Sequence, residues 1–193
     1  INASLDPALA ALIEPFACVL RGQNAVDVHV GDQVLVIGAG PIGLMHVLLA
    51  RLRGANQVIL SELLPDRLEQ ARRFNPDRLV NPSQENLAEV IAAETNGRGA
   101  DVILIAAPAH QAQEQALDLA AIGGRINLFG GLPKDRPTIT FNSNLVHYKE
   151  LIVTGTTACS THDCWQAAEI VVARRVDLAP MISARFALED VGQ

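Results

Sequence analysis

Gly38, Gly40 and Gly43 stand at G-x-G-x-x-G spacing directly after the apolar run Val34-Leu-Val-Ile37, and Glu62 follows nineteen residues beyond the last of them. Residues of these types at this spacing can hold two linked phosphates and a ribose. A glycine at position 38 lets the chain turn sharply out of a strand. The bare backbone at Gly40 lets a pyrophosphate approach, and Gly43 lets the following helix pack closely on the sheet. Free N–H groups at the helix start, with the helix dipole behind them, favour phosphate charge. Pro41 suits the first helical turn because its missing N–H would have had no partner there, and Ile42 completes the turn beside it. The competing reading, a glycine-rich turn in some other α/β protein, leaves the preceding strand, the following helix and the acid at the expected distance unexplained.

Glu62 ends the next strand, where a carboxylate can accept hydrogen bonds from the adenosine ribose hydroxyls and repel a 2′-phosphate. Two unit charges about 4 Å apart interact by roughly 4 kcal/mol at an effective dielectric of about 20, which favours NAD over NADP. Arg67, five residues on, is the counterweight, since a guanidinium can pair with such a phosphate. It falls on the next helix, where a solvated arginine is equally natural, so Glu62 is read as dominant.

Other reactive residues carry less. Cys159-Ser-Thr-His-Asp-Cys164 lacks the C-x₂₋₄-C spacing of a structural zinc site. Ser160 with Asp163 reads better as a helix N-cap with an acidic third residue. His46 lies within the first long helix and reads as a packed histidine. Tyr148-Lys149 is not the Y-x-x-x-K pair of short-chain dehydrogenases.

These residues need a scaffold, and the pattern around them supplies one. The expected strands are Val34 to Ile37, Val58 to Leu60, Arg78 to Asn81, Asp101 to Ile105, Gly124 to Phe129 and Leu151 to Thr154, with Thr138 to Phe141 as an exposed strand. Helices are expected over Pro41 to Arg53, Pro65 to Phe74, Glu85 to Glu94, Gln111 to Ile122 and His162 to Arg174. Gly54 is placed to end the first of these. His147 to Glu150 is read as a polar lead into the last strand. Before the glycine turn, Leu5 to Arg21 is apolar at helical spacing, and Pro15 interrupts it, so a helix break or a new helix start is expected near Glu14. Apolar strands alternating with helices predict an α/β fold, a doubly wound six-stranded parallel sheet of order 3-2-1-4-5-6.

Composition agrees. The 193 residues are 49% hydrophobic and 19% charged, enough for a core that needs no disulfide or metal staple. The net charge of −6 argues against nucleic acid and anionic membrane surfaces as partners. No apolar run is long enough to span a bilayer. Three cysteines without a C-x-x-C pair point to a reducing cytoplasm. The start, Ile1-Asn-Ala-Ser-Leu-Asp, has no signal-peptide pattern and no initiator Met, so a processed product or a fragment is expected.

The order of motifs resembles a known family. Glu14-Pro15-Phe-Ala-Cys-Val-Leu-Arg-Gly22, Gly31-Asp-Gln through Gly43, Gly123-Gly124-Arg, Phe129-Gly-Gly-Leu-Pro133 and Asn144-Leu-Val-His-Tyr-Lys-Glu-Leu151 resemble the cofactor domain of zinc-type medium-chain dehydrogenases. The branch is that of sorbitol, threonine and sugar-alcohol-phosphate dehydrogenases, and the resemblance covers nearly the whole chain. It implies a Rossmann domain that binds NAD. It also implies a parent enzyme in which zinc assists oxidation of a small-molecule alcohol or polyol, and which forms a homodimer or homotetramer through the region Thr138 to Leu151.

By the same resemblance Glu14 lies beside the zinc, as a ligand or as a partner of the zinc-bound water or substrate. Ala107 follows the fourth strand at the cofactor. Phe129, Gly130 and Gly131, with Thr156, Thr157 and Ala158, hold the nicotinamide carboxamide through backbone groups. Animal-type sorbitol dehydrogenases carry an Arg-Tyr pair where this chain has Ala158-Cys159, which argues against sorbitol itself. The family's GroES-like catalytic domain, with its Cys and His-Glu zinc ligands, has no counterpart in this chain. Residues 1–24 are therefore expected to be the junction to that domain, 25–185 the dinucleotide-binding domain, and 186–193 the start of the return. Such a piece is expected to bind NAD without turning over substrate. The alternatives are a stand-alone nucleotide-binding regulatory module and an S-adenosylmethionine-dependent methyltransferase. Threonine or a sugar phosphate is the competing substrate class within the family.

Overall fold

The computed structural model describes residues 5–190; the residues at either extreme, with the outermost parts of the expected junction and return segments, lie outside it. Helix α1 (Pro7–Ala11) is capped by the Asp6 side chain, which accepts from the Ala8 N–H at 2.9 Å. Helix α2 (Ile13–Ala25) restarts after Leu12, so Pro15 falls in its first turn, where no N–H is needed.

Strand β1 (Gln33–Ile37) leads through the glycine turn into α3 (Pro41–Leu52). Gly54 ends α3 as expected: at φ +85° it places its own N–H on the Arg51 carbonyl at 3.0 Å and that of Ala55 on the Ala50 carbonyl at 3.1 Å. The chain continues through β2 (Gln57–Ser61), α4 (Pro65–Ala71) with a 3₁₀ turn Arg72–Phe74, β3 (Arg78–Val80), and α5 (Leu87–Glu94) capped by Asn86. Then come β4 (Ala100–Ile105), α6 (His110–Leu119), β5 (Ala120–Leu128), α7 (Ser143–Tyr148), β6 (Ile152–Gly155) and α8 (Thr161–Val172). The expected capping box of Ser160 and Asp163 opens α8.

All six strands are parallel, in the order β3-β2-β1-β4-β5-β6. Alternation along each central strand sends side chains to two cores. Leu35, Ile37, Ile103, Ile105 and Ile126 pack with α5 and α6. Val34, Val36, Val58, Leu60, Val102 and Leu104 pack under α3. A third core lies between α2, α3 and α8, around Phe16, Val19, Met45, Leu49 and Ala167. Both sheet faces are covered, which is why the central strands read as unbroken apolar runs.

Three expectations are corrected. Helix α6 stops at Leu119 instead of Ile122, because β5 already begins at Ala120. The register between β4 and β5 shifts at that end, and Gly99 (φ +87°) passes so close that a Cβ there would lie 2.7 Å from the Ala121 nitrogen. Thr138 to Phe141 forms no strand: it finds no ladder partner, and the Thr140 N–H goes to Glu114 Oε1 at 2.7 Å. His147 and Tyr148 belong to the end of α7, and Lys149 Nζ ties that end to the carbonyls of Leu117, Asp118 and Ala120 at 2.8–3.1 Å.

Candidate functional site

The loops after β1, β2 and β4 meet at the carboxyl edge of the sheet and enclose a cleft of ≈ 270 Å³. Backbone bonds fix two of its walls: the Gly38 N–H reaches the Ser61 carbonyl at 2.8 Å, and the Ala106 N–H reaches that of Ile37 at 2.9 Å. Each glycine of the turn has a separate cause. Gly38 sits at φ +104°, against Ala106 and Ala107. At Gly43 a Cβ would lie 1.8 Å from the Gly38 carbonyl oxygen, so only glycine lets α3 come this near to β1. At Gly40 a Cβ would meet nothing within 4 Å. The open space there belongs to whatever fills the cleft.

Helix α3 starts at Pro41 with no side-chain cap. The N–H groups of Ile42 and Gly43 belong to its unpaired first turn. Glycine backbone without side chains, uncapped N–H groups and a helix dipole fit the pyrophosphate of a dinucleotide.

Glu62 is 8% exposed and lines the same cleft. Its carboxylate accepts from Ala39 N–H at 2.9 Å, Leu63 N–H at 2.7 Å and Leu64 N–H at 3.0 Å. It thus ties the glycine turn to the loop after β2. Arg67 Nη1 lies 3.8 Å from Glu62 Oε2, so the guanidinium shares the site instead of facing solvent alone. Ala107 also lines the cleft, with Leu63, Pro82, Gln111 and Gln115. The last four were missed in the sequence; Gln111 and Gln115, one turn apart on α6, had spacing as their only signal.

The remaining predicted positions lie along the same edge but outside this cleft. The Phe129 ring turns inward, edge-on to His46 at 4.9 Å, in a space that exists because residue 22 is glycine. Gly130 packs on Ala107, and its N–H bonds to the Ile105 carbonyl at 2.7 Å. Gly131 is open. Thr156 Oγ1 lies 3.4 Å from Asn127 Oδ1, and Ala158 adopts φ +54°. Thr157 follows β6 in the same loop. His46 is fully buried, with Gln23 Nε2 bonded to its carbonyl at 2.8 Å, and burial pulls its pKa down to about 3. A larger cleft of ≈ 520 Å³ opens beside the beginnings of β4 and β5, the end where doubly wound sheets do not bind ligands.

Glu14 lies in the first turn of α2, apart from the glycine cleft. Its Oε1 is 3.5 Å from Cys18 Sγ and 3.9 Å from Cys159 Sγ, and Cys159 Sγ is 3.4 Å from Cys164 Sγ. Burial raises the Cys18 and Cys159 thiols above their ordinary value, and the Cys164 thiol is raised first by its hydrogen bond with Cys159. Carboxylate and sulfur are donors that zinc accepts, so Glu14 and its surroundings fit that metal.

A doubly wound parallel sheet with an open glycine turn and an acid at its neighbouring strand end is the architecture of dinucleotide-binding domains. The family described as zinc-binding dehydrogenase matches residues 41–173, and the chain belongs to it. An L-threonine 3-dehydrogenase of Photorhabdus laumondii is 34% identical over 97% of this chain and 54% of its own length. A zinc-binding dehydrogenase of Sinorhizobium meliloti 1021, solved with NADP bound, superposes with a TM-score of 0.86 at 29% identity, covering 97% of this chain and 58% of that one. An alcohol dehydrogenase of E. coli CFT073 complexed with NADH gives 0.83 at 26% identity, covering 94% and 52%. The chain spans about half the length of the curated relatives it matches. Among the described residues no helix is long and apolar enough to cross a membrane.

Proposed function

We propose that this chain is the NAD-binding part of a dehydrogenase that oxidises a secondary alcohol or polyol to a ketone with hydride transfer to NAD. The observation that carries the reading is the pairing, across one cleft, of an open Gly40 with a buried, ionisable Glu62. Gly40 leaves room for a pyrophosphate over the start of α3. Glu62 is already oriented by three backbone N–H groups, so it presents remaining lone pairs to a ribose without having to be ordered. A 2′-phosphate would meet its charge, partly offset by Arg67.

Residues 25–185 form the proposed dinucleotide-binding unit, with 1–24 and 186–193 leading to and from a catalytic domain. Phe129, Gly130, Gly131, Thr156, Thr157 and Ala158 are the proposed nicotinamide side of the site, reached along the carboxyl edge of β5 and β6. In the whole enzyme, zinc near Glu14 supplies Lewis-acid chemistry at the alcohol oxygen. Threonine is the competing substrate, favoured by the relatives' identity. The open outer edge of β6, where Ile152 is 56% exposed, supports assembly of the parent into dimers or tetramers. Replacing Glu62 by Ser tests the cofactor assignment: the ratio of NADH to NADPH affinity is expected to fall, and an unchanged ratio removes Glu62 from the ribose site.

A further inference from the structure

Cys159 and Cys164 do not have the spacing of metal ligands, but the start of α8 gives their spacing another meaning. Ser160 is the N-cap of α8, so Cys159 is the residue before the cap and Cys164 the fourth residue of the helix. Side chains at these two positions meet across a helix start, usually as a hydrophobic pair that fixes the angle at which the chain enters. Here both are cysteines, and their sulfurs stand 3.4 Å apart.

The residues around the pair are held in place. Ser160 Oγ accepts from the Asp163 N–H at 3.1 Å, and the Asp163 carboxylate accepts from the Ser160 N–H at 2.7 Å, so the segment between the two thiols is bonded at both ends. Ala158, immediately before Cys159, is held at φ +54° and turns the loop after β6 onto the helix. Ala167 and Val171 pack in the core between α2 and α8, which anchors the helix itself. Both cysteines are half-buried, and Cys164 lines a groove of ≈ 390 Å³ with Ile13, Trp165 and Val172, so a small reagent can reach its sulfur. A disulfide bond of about 2.05 Å requires the two sulfurs to close by roughly 1.4 Å from where they stand.

We propose that Cys159 and Cys164 are a site of reversible thiol oxidation, in which a small disulfide is the oxidant and an intramolecular disulfide across the start of α8 is the product. The Cys164 thiol loses its proton, and its sulfur attacks one sulfur of the small disulfide. That S–S bond breaks and releases one small thiolate. The Cys159 sulfur, deprotonated in turn, attacks the Cys164 sulfur of the mixed disulfide and expels the second small thiolate. The two protons lost by the cysteines end on the two released thiolates, and two electrons have passed from the pair to the oxidant. An excess of the small thiol reverses both steps. Closure makes covalent the contact that sets the entry of α8, and so fixes the end of the loop that begins at Thr156. Neither thiol lines the cleft of Gly40 and Glu62, so the site stands or falls independently of the dinucleotide reading.

Glutathione is the probe. The 193-residue chain is equilibrated in buffers of reduced and oxidised glutathione, native and in urea, then quenched with acid, alkylated and digested with trypsin. Both thiols fall in the one peptide Glu150–Arg174, while Cys18 falls in peptide 1–21, so mass spectrometry separates the possible pairings. The expected product is peptide Glu150–Arg174 lighter by two hydrogens and without alkyl groups. The native contact raises the effective concentration of one thiol at the other. The squared concentration of reduced glutathione over that of oxidised glutathione at half-oxidation is therefore expected to be at least about tenfold higher in the native chain than in urea. Cys18→Ser, its fold checked by far-UV circular dichroism, should keep both results. An equal or lower value in the native chain overturns the site. So does a native product joined to peptide 1–21, or one that carries glutathione without closing, or loss of closure in the folded Cys18→Ser chain.

Discussion

The Glu62 carboxylate holds three backbone N–H groups from two loops while bordering the cleft, so its role in the fold and its role toward a ligand can be separated by substitution. Glu62→Ala leaves those donors without their acceptor and is expected to cost about 1.5–3 kcal/mol in urea unfolding, while Glu62→Gln keeps one acceptor oxygen and should cost less. His46 is the second informative residue. Its imidazole stays neutral down to about pH 3 in the folded chain, against an ordinary 6.5. Between those values the unfolded chain binds the extra proton. Stability from this residue is therefore complete above pH 6.5 and falls as the pH drops, by up to roughly 1.4 kcal/mol per pH unit. In His46→Leu the acid-side slope of unfolding free energy between pH 6.5 and pH 4 should flatten; equal slopes in the two chains would contradict the assignment. Glu62 and the glycines were legible because their partners are near in sequence. The contact of Cys18 with Cys159 was not, since only the packing of α2 on α8 brings them together.

At the scale of elements, the glycine turn is two mechanisms in six residues. Gly43 is a packing glycine: Gly43→Ala must push α3 off β1 and is expected to cost about 3 kcal/mol or more, because the clash is with backbone that cannot give way. Gly40 is a ligand glycine. Gly40→Val adds a branched side chain to open space, so it should shift the folding midpoint little and abolish detectable NADH binding at concentrations that saturate the wild type. A pair of denaturation curves and nucleotide titrations on the two variants checks this split. Helices were readable wherever periodicity ended in a cap, as at Gly54 and Ser160. The start of β5 was not, because Ala120-Ala121-Ile122 continues a helical pattern until its strand pairing with β4 is seen. Thr138 to Phe141 had the alternation of a strand but no neighbour to pair with; a sequence pattern carries no record of whether a partner exists.

For the molecule as a whole, the strand order followed from a simple regularity. Short apolar runs alternating with helices require crossovers, and right-handed crossovers on a twisted sheet leave few topologies. One of them puts the glycine turn at the carboxyl edge beside the switch between β1 and β4. The placement of Glu14 and the cysteines came instead from the third core, which a list of elements does not contain. The central claim is that the carboxyl-edge cleft takes NAD. Calorimetric titration of the 193-residue chain with NADH, NADPH and S-adenosylmethionine tests it most directly. One NADH per chain, bound more tightly than NADPH and with no heat from S-adenosylmethionine, is the predicted result; binding of S-adenosylmethionine, or no binding of NADH by the folded chain, would contradict it.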